Sequence, residues 1–195
     1  LAAERAGGRW QAAAHTACNL GRLLLEARRF DDAQALLEEA LRLCGEYGFA
    51  SVRSVVLINL AMLHMEAGRA SAALSWGELA LTEALRSGEQ RAGTAARLVL
   101  AEVLLATPEF DRALPYARDA LHYAHVSGDL QNVLGALDVI AQWCARCGDM
   151  ARAALLWHVV IDRPGASRGI HDATEAHRRA AALSPEVLAA ARAAA

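Results

Sequence analysis

Apolar residues recur along the chain at helical spacing, and the segments that contain them repeat every 40 residues. The segment after residue 30 carries small or apolar side chains three or four positions apart, namely Ala33, Leu36, Leu37, Ala40, Leu41 and Cys44. This spacing is typical of a helix with one buried face. Shifting the sequence by 40 residues aligns Ala33 with Ala73, Ala113 and Ala153. A fixed period of this length indicates a solenoid, in which each unit packs against its neighbours.

The repeat predicts an all-α fold, an α-solenoid wound as a right-handed superhelix of about four antiparallel helix pairs. Glycines at one position of the period are expected to end successive pairs, namely Gly48, Gly88 and Gly128. They place the four repeats at residues 9–48, 49–88, 89–128 and 129–162. Within the first repeat, we expect the first helix to begin near Arg9 and Asp31 to cap the second helix.

Both ends of the chain depart from the repeat. Residues 1–8 match the end of a unit, so we interpret them as the remnant of a preceding repeat in a chain cut from a longer protein. The period fails after Asp162, where Pro164 and Gly165 form a turn signal. We therefore expect residues 163–195 to form C-terminal capping helices that cover the open end of the array.

Charge and cysteine usage restrict the partners of this segment. The formal net charge is −2, which argues against nucleic-acid binding. No apolar run approaches the ~18–20 residues needed to span a membrane, so no membrane partner is expected. All four cysteines lie in predicted helices rather than in a disulfide framework, and no signal peptide is visible. These features predict a cytoplasmic location.

Few side chains stand at spacings that carry chemistry. Cys144 and Cys147 form a CxxC pair that could contribute to a zinc or redox site, but no second pair accompanies it, and packing is the favoured interpretation. Asp119, His122 and His125 share a helix face that could hold a metal, yet no further ligand is evident. The sequence contains no phosphate-binding loop, nucleophile elbow or HExxH motif. We expect no catalytic residue, no cofactor, no metal and no enzymatic activity.

The first unit carries Leu20-Gly21, Ala33 and Ala40, and later units keep small residues at the same positions: Leu60-Ala61, Ala73, Ala80, Leu100-Ala101, Ala113, Ala120, Ile140-Ala141 and Ala153. This arrangement resembles the tetratricopeptide repeat over about residues 1–162. The period is 40 rather than 34 residues, and the closing proline of the family is absent. The 40-residue variety is similar to the helical arrays of large bacterial signal-transducing ATPases and transcriptional regulators.

The resemblance implies that the first helix of each repeat lines a concave groove where ligands bind. By the register of the family, the groove candidates are Asn19, Arg22, Asn59, Met62, Met65, Glu102, Asp138 and Gln142. Asn19 and Asn59 lie one period apart, and such asparagines can hold the backbone of an extended peptide. The alternative is that they fill polar gaps between helices, and the sequence leaves both interpretations open.

The resemblance therefore implies a non-catalytic protein–protein interaction module. It would form the C-terminal scaffold or sensor part of a larger bacterial signal-transduction or transcriptional regulator. The partner would be a protein, a peptide or another domain of the same full-length chain. Self-association through the N-terminal end is a further expectation, since that end lacks a covering repeat. The alternative function is a ligand-sensing domain, whose groove binds a small molecule and switches an attached effector domain.

Overall fold

The computed structural model describes residues 2–161, with side chains from residue 8 onward. These residues form eight α-helices and one 3-10 turn: α1 (Ala2–Glu26), α2 (Phe30–Tyr47), α3 (Ala50–Glu66), α4 (Ala70–Ser87), α5 (Gln90–Leu105), the 3-10 turn (Phe110–Arg112), α6 (Ala113–Ser127), α7 (Leu130–Arg146) and α8 (Met150–Ile161). No β-strand occurs among them. The predicted all-α class is confirmed, whereas the predicted capping helices at 163–195 lie outside the described residues.

The packing of consecutive helices fits a solenoid-like array of repeats. The contacts divide the chain into a first unit that ends at Val103 and a second unit that begins at Leu104. In the first unit α2 packs against α1 and α3, α3 packs against α4, and α1 also contacts α3. In the second unit α7 packs against both α6 and α8. The four alanines that define the repeat, Ala33, Ala73, Ala113 and Ala153, are all fully buried.

Glycines end three helices where the 40-residue period predicts them. Gly48, Gly88 and Gly128 have φ angles of 75°, 72° and 68°, which lie in the left-handed region. Glycine adopts this conformation without the steric penalty of a Cβ atom, so it reverses the chain after a helix at low cost. The expected repeat boundaries at these residues are therefore also helix ends.

The turn inside a helix pair uses glycine in the second and fourth repeats, whereas Arg28 and Pro108 stand at that position in the first and third. Gly68 and Gly148 have φ angles of 72° and 85°, but the same position in the first repeat is Arg28, with a φ of 59°. The Arg28 guanidinium lies 5.4 Å from the centre of the Phe30 ring and 3.6 Å from a carboxylate oxygen of Glu66. These contacts offset part of the strain that a side chain causes in the left-handed region.

Two local expectations in the first repeat were wrong. Helix α1 runs unbroken through Gly7 and Gly8, because each glycine inside a helix costs only about 1 kcal/mol and does not end it unless the chain also turns. Helix α2 begins at Phe30, so Asp31 lies in its first turn instead of capping it. The residue at the cap position is Arg29, and it makes no side-chain capping hydrogen bond.

The third repeat starts its second helix differently from the others. The Thr107 hydroxyl donates to the Leu104 carbonyl at 2.8 Å and accepts the Glu109 N–H at 3.2 Å, which reverses the chain before the 3-10 turn. Regular helix follows only from Ala113. Pro115 explains the delay, since it has no N–H to donate to the carbonyl four residues before it.

Small residues let the two helices of a pair approach closely, and their sizes are matched to what faces them. A Cβ atom on Gly21 in α1 would lie only 2.8 Å from Leu37 Cγ in α2. In the second repeat the glycine is on the second helix of the pair, where Gly77 of α4 lies near Ala61 of α3. Leu100 of α5 fills the space beside Gly77. A Cβ atom on Gly77 would lie 2.8 Å from Leu100 Cδ2.

Candidate functional site

The groove candidates of the first unit lie where α1 and α3 contact each other. Asn59 is only 4% exposed, and its Nδ2 donates a hydrogen bond to Cys18 Sγ at 3.2 Å. Asn19, one period earlier, is exposed on α1. The two asparagines therefore differ in environment, because α3 packs against helices on both sides whereas α1 is covered only by α2 and α3 among the described helices.

The hydrogen bond between Asn59 and Cys18 links α1 to α3 in the buried part of this face. Burial raises the pKa of the Cys18 thiol, while the Asn59 hydrogen bond and the positive charge of Arg22 act in the opposite direction with smaller effect. The thiol is accordingly neutral near pH 7 and is not activated as a nucleophile. Arg22 itself is exposed and forms an ion pair with Glu26 one helical turn later.

The remaining candidates of the first unit provide partly accessible apolar and acidic surface. Met62 and Met65 lie one turn apart on α3 and are half-buried. Met62 packs against two cores, one formed by α1, α2 and α3 and the other by α3, α4 and α5. Met65 packs only against the core of α3, α4 and α5 among these two. Glu102 on α5 is also half-buried. We call the surface of Arg22, Asn59, Met62 and Met65 the α1–α3 face.

In the second unit, Asp138 links α7 to α8, and Gln142 bonds to Asp138 from one turn further along α7. Asp138 is buried, and its Oδ1 accepts a hydrogen bond from Trp157 Nε1 at 2.8 Å. Its Oδ2 accepts a hydrogen bond from Gln142 Nε2 at 2.9 Å. Both carboxylate oxygens are thus engaged within the protein. The structure gives these two candidates a role in holding helices together.

The end of α7 is held to the segment before α6 through one arginine. The Arg146 guanidinium donates a hydrogen bond to the Leu105 carbonyl and lies 4.3 Å from the centre of the Phe110 ring. One residue further on, Cys147 is exposed, whereas Cys144 is buried in the core of α7 and α8. The packing interpretation of the CxxC pair therefore holds for Cys144 alone.

A pocket that the sequence reasoning missed lies where α2 ends, α3 begins and α4 ends. It has a volume of about 360 Å³ and is lined by Cys44, Gly45, Gly48, Ala50, Arg53, Glu83 and Arg86. Arg86 donates to Glu83 through Nη2 at 2.6 Å and through Nε at 3.4 Å. We call these seven residues the α2–α4 pocket.

Electrostatic effects inside the α2–α4 pocket follow from two arginines near one buried carboxylate. The hydrogen bond from Arg86 lowers the pKa of Glu83, and the charge of Arg53 lowers it further although burial opposes both. Burial raises the pKa of the Cys44 thiol to about 11, so this thiol is neutral near pH 7. With Arg53 and Arg86 positive and Glu83 negative, the pocket carries one net positive charge.

The repeat itself contained a signal for this pocket. One period before Glu83 the chain has Leu43, and one period after it has Tyr123. Likewise, the residues one and two periods after Arg53 are Gly93 and Val133. Charged residues at positions that are uncharged in other repeats mark a site where packing alone does not explain the sequence.

Comparison with known proteins adds no relative: no protein-family model matches the chain, and no curated protein is significantly similar to it. Within residues 2–161, no group of three or more His, Cys, Asp or Glu side chains is arranged to hold a metal ion. None of the helices in that range is long and apolar enough to cross a bilayer.

Proposed function

We propose that the chain is a non-catalytic interaction module of the tetratricopeptide type that binds an extended protein segment on the α1–α3 face. The segment belongs to another protein or to another domain of the same full-length chain. Half-buried Met62 and Met65 carry the proposal. Flexible, polarisable methionine side chains adapt to varied apolar partners, and the exposed Arg22 adds a polar contact beside them.

The cellular setting in this proposal comes from the repeat length. A 40-residue tetratricopeptide-like array resembles parts of large bacterial signal-transducing ATPases and transcriptional regulators. We propose that this segment is the scaffold or sensor part of such a cytoplasmic regulator. Arg22 at one flank of the face and Glu102 on α5 would then set the charge preference for the bound segment.

Asn59 has two candidate roles, and the structure favours the one between helices. Because its Nδ2 bonds to Cys18 and its side chain is nearly inaccessible, Asn59→Ala should lower the free energy of unfolding by about 1–3 kcal/mol. Affinity for the partner, measured well below the melting temperature, should change little. A normal melting temperature combined with lost binding would instead assign Asn59 to the ligand backbone.

The partner-binding role is tested with paired variants on two helices. The protein is used to capture a partner from lysate of its host, and the identified partner is titrated by calorimetry. Met62→Gln with Met65→Gln keeps side-chain length but makes the α1–α3 face polar, and should weaken binding at least tenfold. Leu79→Gln with Leu85→Gln is the control, because these leucines are also exposed but lie on α4 rather than on α1 or α3. Equal affinities for the two double variants would contradict the proposal.

A second copy of the chain is the other partner in the proposal. Leu20 and Leu23 on α1 are 45% and 52% exposed. By contrast, the equivalent residues one period later, Leu60 and Leu63, are at most 1% exposed. Exposed apolar surface of this kind favours association. The molar mass from light scattering should rise with concentration for the native chain and remain monomeric for Leu20→Ser with Leu23→Ser. A native chain that stays monomeric at high concentration would rule out this contact.

A further inference from the structure

The α2–α4 pocket combines two arginines with small residues in a cavity of ligand size. Ligand-binding pockets typically enclose about 300–1,000 Å³, and this one, at about 360 Å³, is at the small end of that range. We propose that the pocket binds a small organic monocarboxylate, with Arg53 as the principal anchor and Arg86 as the second. This site is separate from the α1–α3 face and does not depend on the partner proposed for it.

The Arg53 guanidinium is positioned in the pocket and is available to a ligand. The Cβ position of Gly45 lies 3.7 Å from Arg53 Nη1, which places the guanidinium above the glycine at the end of α2. Among the described side chains, Arg53 acts on Glu83 and Cys44 through its charge, and no hydrogen bond or ion pair within 4 Å holds its guanidinium. A guanidinium presents two parallel N–H groups that match the two oxygens of a carboxylate.

Glu83 holds the Arg86 guanidinium in a fixed orientation and cancels its positive charge. The two hydrogen bonds to Glu83 fix the plane of the Arg86 guanidinium, since both its Nη2 and its Nε take part. Glu83 is only 9% exposed, so it is committed to this pair rather than to solvent. Cys44 adds a neutral, apolar part of the wall. One net positive charge then favours an anion over a cation.

Packing alone does not account for these residues. Leu43 occupies the position of Glu83 one repeat earlier and is 4% exposed, so an apolar side chain suits that environment. A buried carboxylate is costly unless it is paired, and here the chain supplies both the carboxylate and its arginine partner. The triad of Arg53, Glu83 and Arg86 is explained better by a ligand than by stability.

Gly45 provides an independent observation that the space is kept open. It lies inside α2 without a positive φ, and beyond its own helix Arg53 Nη1 is the one described atom within 4 Å of its Cβ position. An alanine there would favour the helix, because glycine is a poor helix former. The equivalent residue of the next repeat is Leu85, which is 62% exposed, so the fold tolerates a large side chain at this position.

The probe for the test is butyrate, and its neutral amide, butyramide, controls for charge. The 195-residue chain, labelled with ¹⁵N, is titrated with each compound, and the amide signals of Gly45, Gly48 and Ala50 are followed by NMR. Butyrate should shift these signals saturably, with a dissociation constant on the order of millimolar for so small a ligand. Butyramide, which carries no charge, should not shift them. Absence of saturable shifts, or equal shifts with butyramide, would overturn the proposal.

Three variants locate the binding. Arg53→Gln should weaken butyrate binding at least tenfold, whereas Arg69→Gln, which removes an arginine from the turn before α4, should leave it unchanged. Gly45→Leu should also abolish binding, because it fills the pocket with the side chain that the next repeat already carries. Retained affinity in Arg53→Gln or in Gly45→Leu would overturn the proposal, and so would an equal loss in Arg69→Gln. A ¹⁵N spectrum that keeps its dispersion shows that each variant is folded.

Discussion

Replacing Gly21 with Ala should lower the stability of the protein although it improves the intrinsic helix propensity of α1. The propensity gain is about 1 kcal/mol. Against it, the new methyl group would lie 2.8 Å from Leu37 Cγ and 2.9 Å from Leu37 Cδ2, and Leu37 is fully buried. Carbon atoms prefer separations of about 3.5–4.0 Å. Overpacking of this kind costs about 1–3 kcal/mol, so the net loss should be about 0–2 kcal/mol.

The sign of the effect should reverse once Leu37 is shortened. Leu37→Ala alone should cost about 2–5 kcal/mol, because it leaves a cavity between α1 and α2. In that background Gly21→Ala meets no obstacle and should recover up to about 1 kcal/mol. The two changes should therefore show a coupling energy of about 1–3 kcal/mol in a double-mutant cycle.

Urea unfolding followed by the helical circular dichroism signal gives the four free energies of the cycle. Gly45→Ala is a matched control, since the nearest atom to its Cβ position is 3.7 Å away, and it should gain about 0.5–1 kcal/mol. If Gly21→Ala stabilises the protein as much as Gly45→Ala does, with Leu37 intact, the size matching between α1 and α2 is refuted.

Three further predictions concern a buried tryptophan pair, a partly buried histidine and a turn glycine. Trp157→Phe should cost about 1–3 kcal/mol in urea unfolding because Asp138 Oδ1 loses its donor, whereas Trp143→Phe should be near neutral because Trp143 Nε1 is buried without an acceptor in the described structure. Burial lowers the pKa of His64 below its ordinary value of 6.5, so the unfolded chain binds this proton more readily than the folded chain does. The free energy of unfolding should therefore fall as the pH drops through about 6.5. His64→Leu should reduce this pH dependence in thermal melts from about pH 5 to 8. Gly148→Ala should lower stability by about 1–2 kcal/mol, because its φ is 85°, and an unchanged melting temperature would contradict this.

The fold was predictable because its determinants are local and repeated. A small residue such as Ala33 or Ala73 is needed wherever two helices cross, and Gly48 or Gly88 is needed wherever the chain reverses in the left-handed region. These requirements recur at each repeat and produce the 40-residue period. Arg28 shows the limit of the rule, since contacts to neighbouring side chains let a non-glycine residue take the same conformation.

The sites were less predictable because residues at equivalent positions do not have equivalent neighbours. Asn19 and Asn59 match in sequence, yet Asn19 is exposed and Asn59 is bonded to Cys18, because α3, unlike α1, has helices on both sides in the described structure. Asp138 was assigned to a groove, but the indole of Trp157 engages it, and that contact depends on how α7 and α8 pack. The α2–α4 pocket required three helices to be placed together.

The size matching between paired helices has a consequence for how such an array evolves. If recombination paired α1 with α4, Gly21 would face Gly77 and an empty space would remain between the two helices. Pairing α3 with α2 would press Ala61 against Leu37. A duplication whose breakpoint falls in the turn at Gly48 would therefore keep the matched residues of each helix pair together.

The second helix pair is less independent than the first. Leu100 of α5 fills the space beside Gly77, so a breakpoint at Gly88 would separate the glycine from the side chain that complements it. A lineage that gained or lost a repeat at that turn would need a compensating change at residue 77 or at residue 100. Variation in repeat number among descendants of this gene should accordingly concentrate at Gly48 rather than at Gly88.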